Sequence, residues 1–287
     1  MARALLLILS AFLIVSCTAK VPLSDRNAVN SNNINMPDAA NNNTMTHNTP
    51  DFSFYLAALS ASQLPENIKS DIRNLLTVNS AFTAELDSIL DKTKDNFDPY
   101  LFFLVDKDHS LGEDYAPDDL VELKSGSYLV NRTGLMLRSK AAQSLEEMSA
   151  AAKAEGLTLV ASSSYRSYVY QKEVYSTWVR QLGQEAADRV SARPGYSQHQ
   201  LGTTLDFGSI TNDFAQTREG VWLSANAWKF GWSLSYPRDF EHITGYSWES
   251  WHFRYVGKEI AAFIEKYFEG VQQYALRFIH EYAVLIQ

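Results

Sequence analysis

The spacing of apolar residues changes character several times along the chain. Leu5 to Val15 is a short apolar run behind Arg3, interrupted only by Ser10. It has the charged start and brief hydrophobic stretch of a secretory signal, and it is too short to span a bilayer comfortably. From Thr18 to about Pro50 apolar residues become sparse and asparagine takes over, in runs such as NSNNIN and NNNTMTHNTP. So little apolar surface cannot offset chain entropy, so the segment reads as a disordered tether. Beyond it Ile68, Ile72, Leu75 and Leu76, then Phe82, Leu86, Ile89 and Leu90, recur at helical intervals and predict a helical lead-in.

From about residue 98 the period alternates between that of a strand and that of a helix. LFFLVDKDH (101–109) predicts a short strand running into a turn. Residues 137–153 predict a helix with Leu145 and Met148 on its apolar face and Gly156 closing it. LTLVASS (157–163) alternates as a strand, and SYRSYVYQKEVYSTWVRQLG opens a helix that ends by Gly183. TTLDFG and WHFRYVG (251–257) are further strands, separated by an aromatic-rich segment from Trp222 to Tyr236. Strands that return late in the sequence predict an α+β fold, a small antiparallel sheet flanked by helices, rather than a doubly wound sheet. From Lys258 onward Ile260, Ile264, Tyr267, Phe268, Val271, Tyr274, Phe278, Tyr282 and Leu285 form one more helical stripe, a packing face. The expected organisation is a signal over 1–16, a tether over 17–50, a helical lead-in over 51–97, a single domain over 98–257 and a C-terminal helix over 258–287.

Composition narrows the function. With 46% apolar residues in 287, there is ample material for a core. A net charge of −8 and the lack of any block of Lys or Arg argue against nucleic acid as a partner. The single cysteine, Cys17, closes the stretch IVSC (14–17), which resembles the lipobox of bacterial lipoproteins, where the signal is cut before a cysteine that is then lipidated. One thiol can build neither a disulfide nor a thiolate metal site. The expectation is a protein exported and held to a bacterial membrane by a lipid anchor, facing the cell wall or periplasm.

The chemistry gathers in three stretches. GYSQHQLGTTLDFG puts His199 and Asp206 seven positions apart across a glycine. They offer two ligands of a metal, and a catalytic zinc site commonly takes three from His, Asp and Glu. ESWHFRYVG supplies His252 as a third and Glu249 three residues before it, a carboxylate placed to accept a proton from metal-activated water without being a ligand. Arg166, in SSYRSYVYQ at a strand-to-helix junction, suits the charge that develops on a carbonyl oxygen; near a helix start an Arg gains nothing from the helix dipole. Trp251, beside His252, is a candidate for the pocket lining, whereas Trp222, Trp228 and Trp232 read as core. His47 reads as solvated and His109 as structural, His242 before ITGY is a candidate for shaping the cleft, His280 belongs to the terminal helix, and none of them is expected to bind metal.

SYRSYVYQ, SQHQLGTTLDFG and ESWHFRYVG, in this order and at these separations, resemble the zinc D-alanyl-D-alanine carboxypeptidases of the VanY type, whose relatives include L,D-carboxypeptidases and D,D-dipeptidases of cell-wall metabolism. The likeness runs from about Leu101 to Gly257 and leaves out the tether, the lead-in and the last helix. It implies that His199, Asp206 and His252 bind zinc (Zn2+), that Glu249 is the catalytic base and that Arg166 polarises the scissile carbonyl. It implies substrate contacts for Ser197 and Gln171. Two departures, Ser250 where many members have proline and Ser164 where many have glycine, are expected to alter the pocket near the substrate's terminal residue. The implied activity is removal of the terminal D-alanine from peptidoglycan stem peptides. The alternatives are an L,D-carboxypeptidase acting on tetrapeptide stems and a non-catalytic wall-binding lipoprotein; the latter has no need of all five site residues.

Overall fold

The computed structural model describes residues 53–62, 64–78, 80–91 and 99–286. The predicted signal, Cys17, the tether and His47 lie outside the described residues. Helices α1 (Ser53–Ala61), α2 (Glu66–Val78) and α3 (Ser80–Asp91) come first, then a 3-10 turn at Pro99–Leu101. Strands β1 (Leu120–Glu122), β2 (Leu129–Val130) and β3 (Met136–Arg138) lead into α4 (Ser139–Ala154) and β4 (Val160–Ser163). Helices α5 (Tyr168–Leu182) and α6 (Gln184–Val190) follow, then a 3-10 turn at Gln198–Leu201 and β5 (Thr204–Phe207). The aromatic segment folds as α7 (Arg218–Asn226), a 3-10 turn at Ala227–Phe230 and β6 (Trp232–Leu234). The chain closes with α8 (Glu241–Thr244), β7 (His252–Tyr255), α9 (Lys258–Tyr267) and α10 (Gln272–Ile286).

The architecture is α+β. Five strands pair in the order β2-β4-β5-β7-β6; β2 and β4 run parallel, the other pairs antiparallel. β1 and β3 form a separate antiparallel pair. The central strands are short and buried, so register matters more than length. Asp206 of β5 lies opposite Ser163 of β4 on one side and His252 of β7 on the other. Three residues of one row thus converge from three parts of the sequence.

Two cores flank this row. One packs Leu137, Leu145 and Met148 against Leu205, Phe207, Trp232 and Phe253, so the apolar face predicted over 137–153 covers the sheet. The second joins the lead-in to the chain's end: Leu59, Ile72, Phe82 and Leu86 share a cluster with Phe263, Phe268 and Phe278. The rings of Phe82 and Phe263 stack with centroids 5.3 Å apart. The two helical stripes cover each other.

Two expectations are corrected. Residues 101–109 form no strand. The carbonyls of Tyr100, Leu101 and Phe103 accept from Nη2 of buried Arg254 at 3.2, 3.0 and 2.9 Å, so this backbone is satisfied by a side chain rather than a neighbouring strand. The C-terminal stripe is two helices, because Glu269 (φ 54°) and Gly270 (φ 74°) take left-handed conformations that end α9 and turn the chain into α10.

Candidate active site

The site begins with the turn between Ser197 and β5. Ser197 Oγ accepts from the backbone N–H of His199 at 3.3 Å and starts the 3-10 turn; Gly202 ends it at φ 71°. A Cβ on Gly202 would lie 2.9 Å from Arg138 Cγ and 3.0 Å from Leu120 Cδ2, so the closeness of β1 and β3 requires glycine as much as the φ does. The reversal returns His199 over the start of β5, with Nε2 3.3 Å from Asp206 Oδ2. The strand register brings Nδ1 of His252 to 3.2 Å from Asp206 Oδ1. All three side chains are buried, and each offers a ligand atom within 4.8 Å of the others.

Each imidazole is oriented from behind. His199 Nδ1 lies 2.8 Å from the Ser164 carbonyl, which can only accept, so Nε2 is left bare toward Asp206. His252 Nε2 lies 3.3 Å from Gln198 Oε1, and its Nδ1 faces Asp206 and, at 3.1 Å, Glu249 Oε2. Arg166 reaches the same point from the β4–α5 junction. Its Nη2 lies 2.9 Å from His199 Nε2 and 3.2 Å from Asp206 Oδ2. Nε and Nη2 donate to Ser163 Oγ at 3.2 and 3.0 Å, and Nη1 donates to Gln171 Oε1 at 3.2 Å. Gln171 in turn donates to the Ala192 carbonyl at 2.7 Å. A guanidinium held on three sides does not swing.

These residues fit a divalent cation. Two imidazole nitrogens and one carboxylate are the ligand set of a catalytic zinc with room for water. Asp206 Oδ1 is buried and receives no aligned hydrogen bond; a buried acceptor left so costs about 1–3 kcal/mol, which a cation removes. The charges agree. Burial, with Arg166 beside it, pushes His199 down to about 4, leaving it neutral as a ligand must be. Burial also works against protonated His252, but Asp206 and Glu249 outweigh it and hold it up at about 9. Burial favours neutral Asp206, and His199 and His252 overcome that and keep it well below the usual carboxylate range.

A cleft of about 620 Å³ opens over the cluster. Arg166, Gln171, Ser197, Glu249 and Trp251 all line it, so every site residue expected within the described region is brought together. Ser164 and Ser250 are not among its lining residues. Ser164 Oγ instead accepts from the Met136 N–H at 2.9 Å. His109 is structural, its Nδ1 2.7 Å from buried Asp106 and its ring 4.8 Å from that of His280. Trp222 and Trp232 are core, as expected. Sequence reasoning missed Ser163, Gln198 and Tyr236, whose ring centroid is 4.7 Å from that of His252. Gln198 stands inside the motif, between Ser197 and His199, but its partner is 54 residues away.

Comparison with known proteins meets the same residues. Residues 134–258 match the family model VanY, D-alanyl-D-alanine carboxypeptidase. The chain is 36% identical over 231 residues to a Bacillus subtilis protein named "Putative carboxypeptidase YodJ", covering 72% of this chain and 84% of that one. The solved LdcB LD-carboxypeptidase, described as revealing the molecular basis of peptidoglycan recognition, aligns with a TM-score of 0.54 at 36% identity, over 60% of this chain and 88% of its own. A variant of the vancomycin-resistance D,D-pentapeptidase VanY from a VanB-type cassette, in complex with Zn(II), aligns with a TM-score of 0.52 at 28% identity, over 62% and 98%.

Proposed function

The chain belongs to the VanY family of D-alanyl-D-alanine carboxypeptidases, a zinc hydrolase family, and from that premise we propose how its own residues act. The protein removes the terminal D-alanine from peptidoglycan stem peptides. Zinc, held by His199, Asp206 and His252, supplies a Lewis acid and lowers the pKa of water from about 15.7 to near 7. Glu249, at the cleft wall beside His252, takes the proton of the attacking water and passes it to the leaving amine. Arg166 meets the charge that grows on the scissile carbonyl oxygen, its orientation fixed beforehand by Ser163 and Gln171. Ser197, Gln171 and Trp251 line the space that receives the substrate's end. From Gln171 the cleft continues along α5 past Val174, Trp178 and Leu182. That is roughly 16 Å of helix, the length of about four or five extended residues, which supports a peptide rather than a single amino acid as the occupant.

The observation that carries this reading is the convergence of a buried His-Asp-His cluster, a carboxylate outside it and a clamped arginine at the floor of one cleft. A specific finding favours a second reading. LdcB, an LD-carboxypeptidase, shares more identity with this chain than the VanY structure does, and an L,D-carboxypeptidase acting on tetrapeptide stems needs the same groups. Mass spectrometry of muramyl pentapeptide and tetrapeptide, each with and without a zinc chelator, separates the two. Chelator-sensitive loss of one alanine from the pentapeptide is expected; loss from the tetrapeptide alone reverses the order. Glu249→Gln is expected to keep zinc and lose turnover, and normal turnover in that variant would sink the mechanism.

The lipobox-like IVSC supports an exported protein anchored to a bacterial membrane through lipidated Cys17, facing the cell wall or periplasm. Among the described residues no helix is long and apolar enough to cross a membrane. Cys17→Ser is expected to move the protein out of the membrane fraction on cell fractionation; unchanged partitioning refutes the anchor.

A further inference from the structure

Behind His252 lies a chain of buried amides that the hydrolytic scheme does not use. Gln198, Ser235 and Gln272 are each no more than 2% exposed. Gln198 Oε1 faces His252 Nε2 at 3.3 Å and accepts from Ser235 Oγ at 2.7 Å. On its other side Gln198 Nε2 donates to Gln272 Oε1 at 3.4 Å. Gln272, the first residue of α10, donates through Nε2 to the Ser233 carbonyl at 3.3 Å and to Ser235 Oγ at 3.4 Å.

The direction of this chain is not free. A backbone carbonyl has no proton to give, so the Ser233 carbonyl requires the NH2 of Gln272 to point toward it. Gln272 Oε1 then faces Gln198 and requires an NH2 from it, since the opposite amide orientation would set two carbonyl oxygens against each other. Gln198 Oε1 is thereby turned to His252, where an acceptor demands Nε2–H. The imidazole of His199 is fixed by one direct contact to a carbonyl; that of His252 is fixed at two removes. We propose that Gln198, and Gln272 behind it, are positioning residues for the zinc site: the Ser233 carbonyl sets the polarity of a hydrogen-bond chain that holds His252 as its Nε2–H form and aims Nδ1 at Asp206.

The inference gives the C-terminal helix a function in the catalytic centre. Gln272 stays in place because α10 is packed into the helical core, and its neighbour Gln273 donates to buried Asp106 at 2.6 Å. Two adjacent glutamines at the start of α10 thus enter two separate buried polar clusters, one of which ends at a metal ligand.

The test reads zinc binding and ring protonation in the full chain, neither of which depends on the peptide cleaved, so its failure is distinct from failure of the proposed reaction. Zinc affinity is measured by chelator competition, and the ring nitrogens of His252 in the zinc-bound protein by long-range proton–nitrogen spectra. Gln198→Met, similar in volume but without an amide, is expected to weaken zinc binding about 10–100-fold, the range for losing a partner behind a ligand. With zinc on Nδ1 the His252 ring keeps its Nε2–H, and that proton's signal is expected to move upfield as it loses the Gln198 acceptor. Gln272→Met, at one further remove, shifts both readouts in the same direction by less, and carries the test if Gln198→Met does not fold. Wild-type zinc affinity and an unchanged His252 spectrum in a folded variant overturn the proposal.

Discussion

Asp106 shows how much a single buried carboxylate depends on its donors. It accepts from the N–H groups of Asp108 and His109 at 2.9 and 3.0 Å, from His109 Nδ1 at 2.7 Å and from Gln273 Nε2. Burial alone raises its pKa, but the Asp108 N–H and His109 outweigh burial and hold it below the usual carboxylate range. A folded-state value below the unfolded one means that the charged form is favoured in the folded protein. The contribution is therefore complete above about pH 4 and is lost as pH falls through the folded value. Asp106→Asn is expected to be less stable than wild type at neutral pH, with the gap narrowing below pH 4. Urea midpoints of both proteins across that range check it; a constant gap would show that shape rather than charge holds the turn. The same arithmetic explains why His199 and His252, a few ångströms apart, shift oppositely. Arg166 stands against the first, whereas two carboxylates stand against the second.

Between Ser197 and Phe207, sequence and structure agree closely, and the reason is local. The Ser197 cap, the 3-10 turn, Gly202 and the buried strand use contacts close along the chain, which spacing can show. Gly202→Ala places a side chain at φ 71° and against Arg138 and Leu120. It is expected to cost about 1–3 kcal/mol, and more if the turn cannot yield. A urea unfolding curve with wild-type midpoint and full zinc content would show that the turn has room. His199, Asp206, Glu249, His252 and Arg166 were legible because ligand chemistry and motif spacing coincide. Register was not: nothing in TTLDFG or WHFRYVG says that Asp206 falls opposite His252, so Gln198 and Ser163 acquired partners only in three dimensions. The segment 101–109 was misread because its apolar alternation is that of a strand, while its backbone bonds go to Arg254, some 150 residues on. The break at Glu269 was hidden because the apolar stripe on either side of it keeps helical intervals.

At the scale of the whole molecule, the helices at the two ends of the described chain form one core with each other, and that core is fastened to the catalytic part at buried polar points. Phe82 is fully buried, stacked on Phe263 and edge-on to Tyr267 with centroids 4.8 Å apart. Phe82→Ala is expected to remove about 3–5 kcal/mol from that core. All six tryptophans lie between residues 178 and 251, outside these helices, although Trp228 leans on them. Tryptophan emission therefore follows the catalytic part, while far-UV circular dichroism includes the end helices. If Gln272 and Gln273 couple the two, unfolding of Phe82→Ala shifts both signals to the same lower urea midpoint in one transition. A dichroism midpoint that falls while the emission midpoint stays at the wild-type value would mean that the end helices melt on their own. The buried glutamines would then be fillers at a seam, and α10 would not be a support for the metal site.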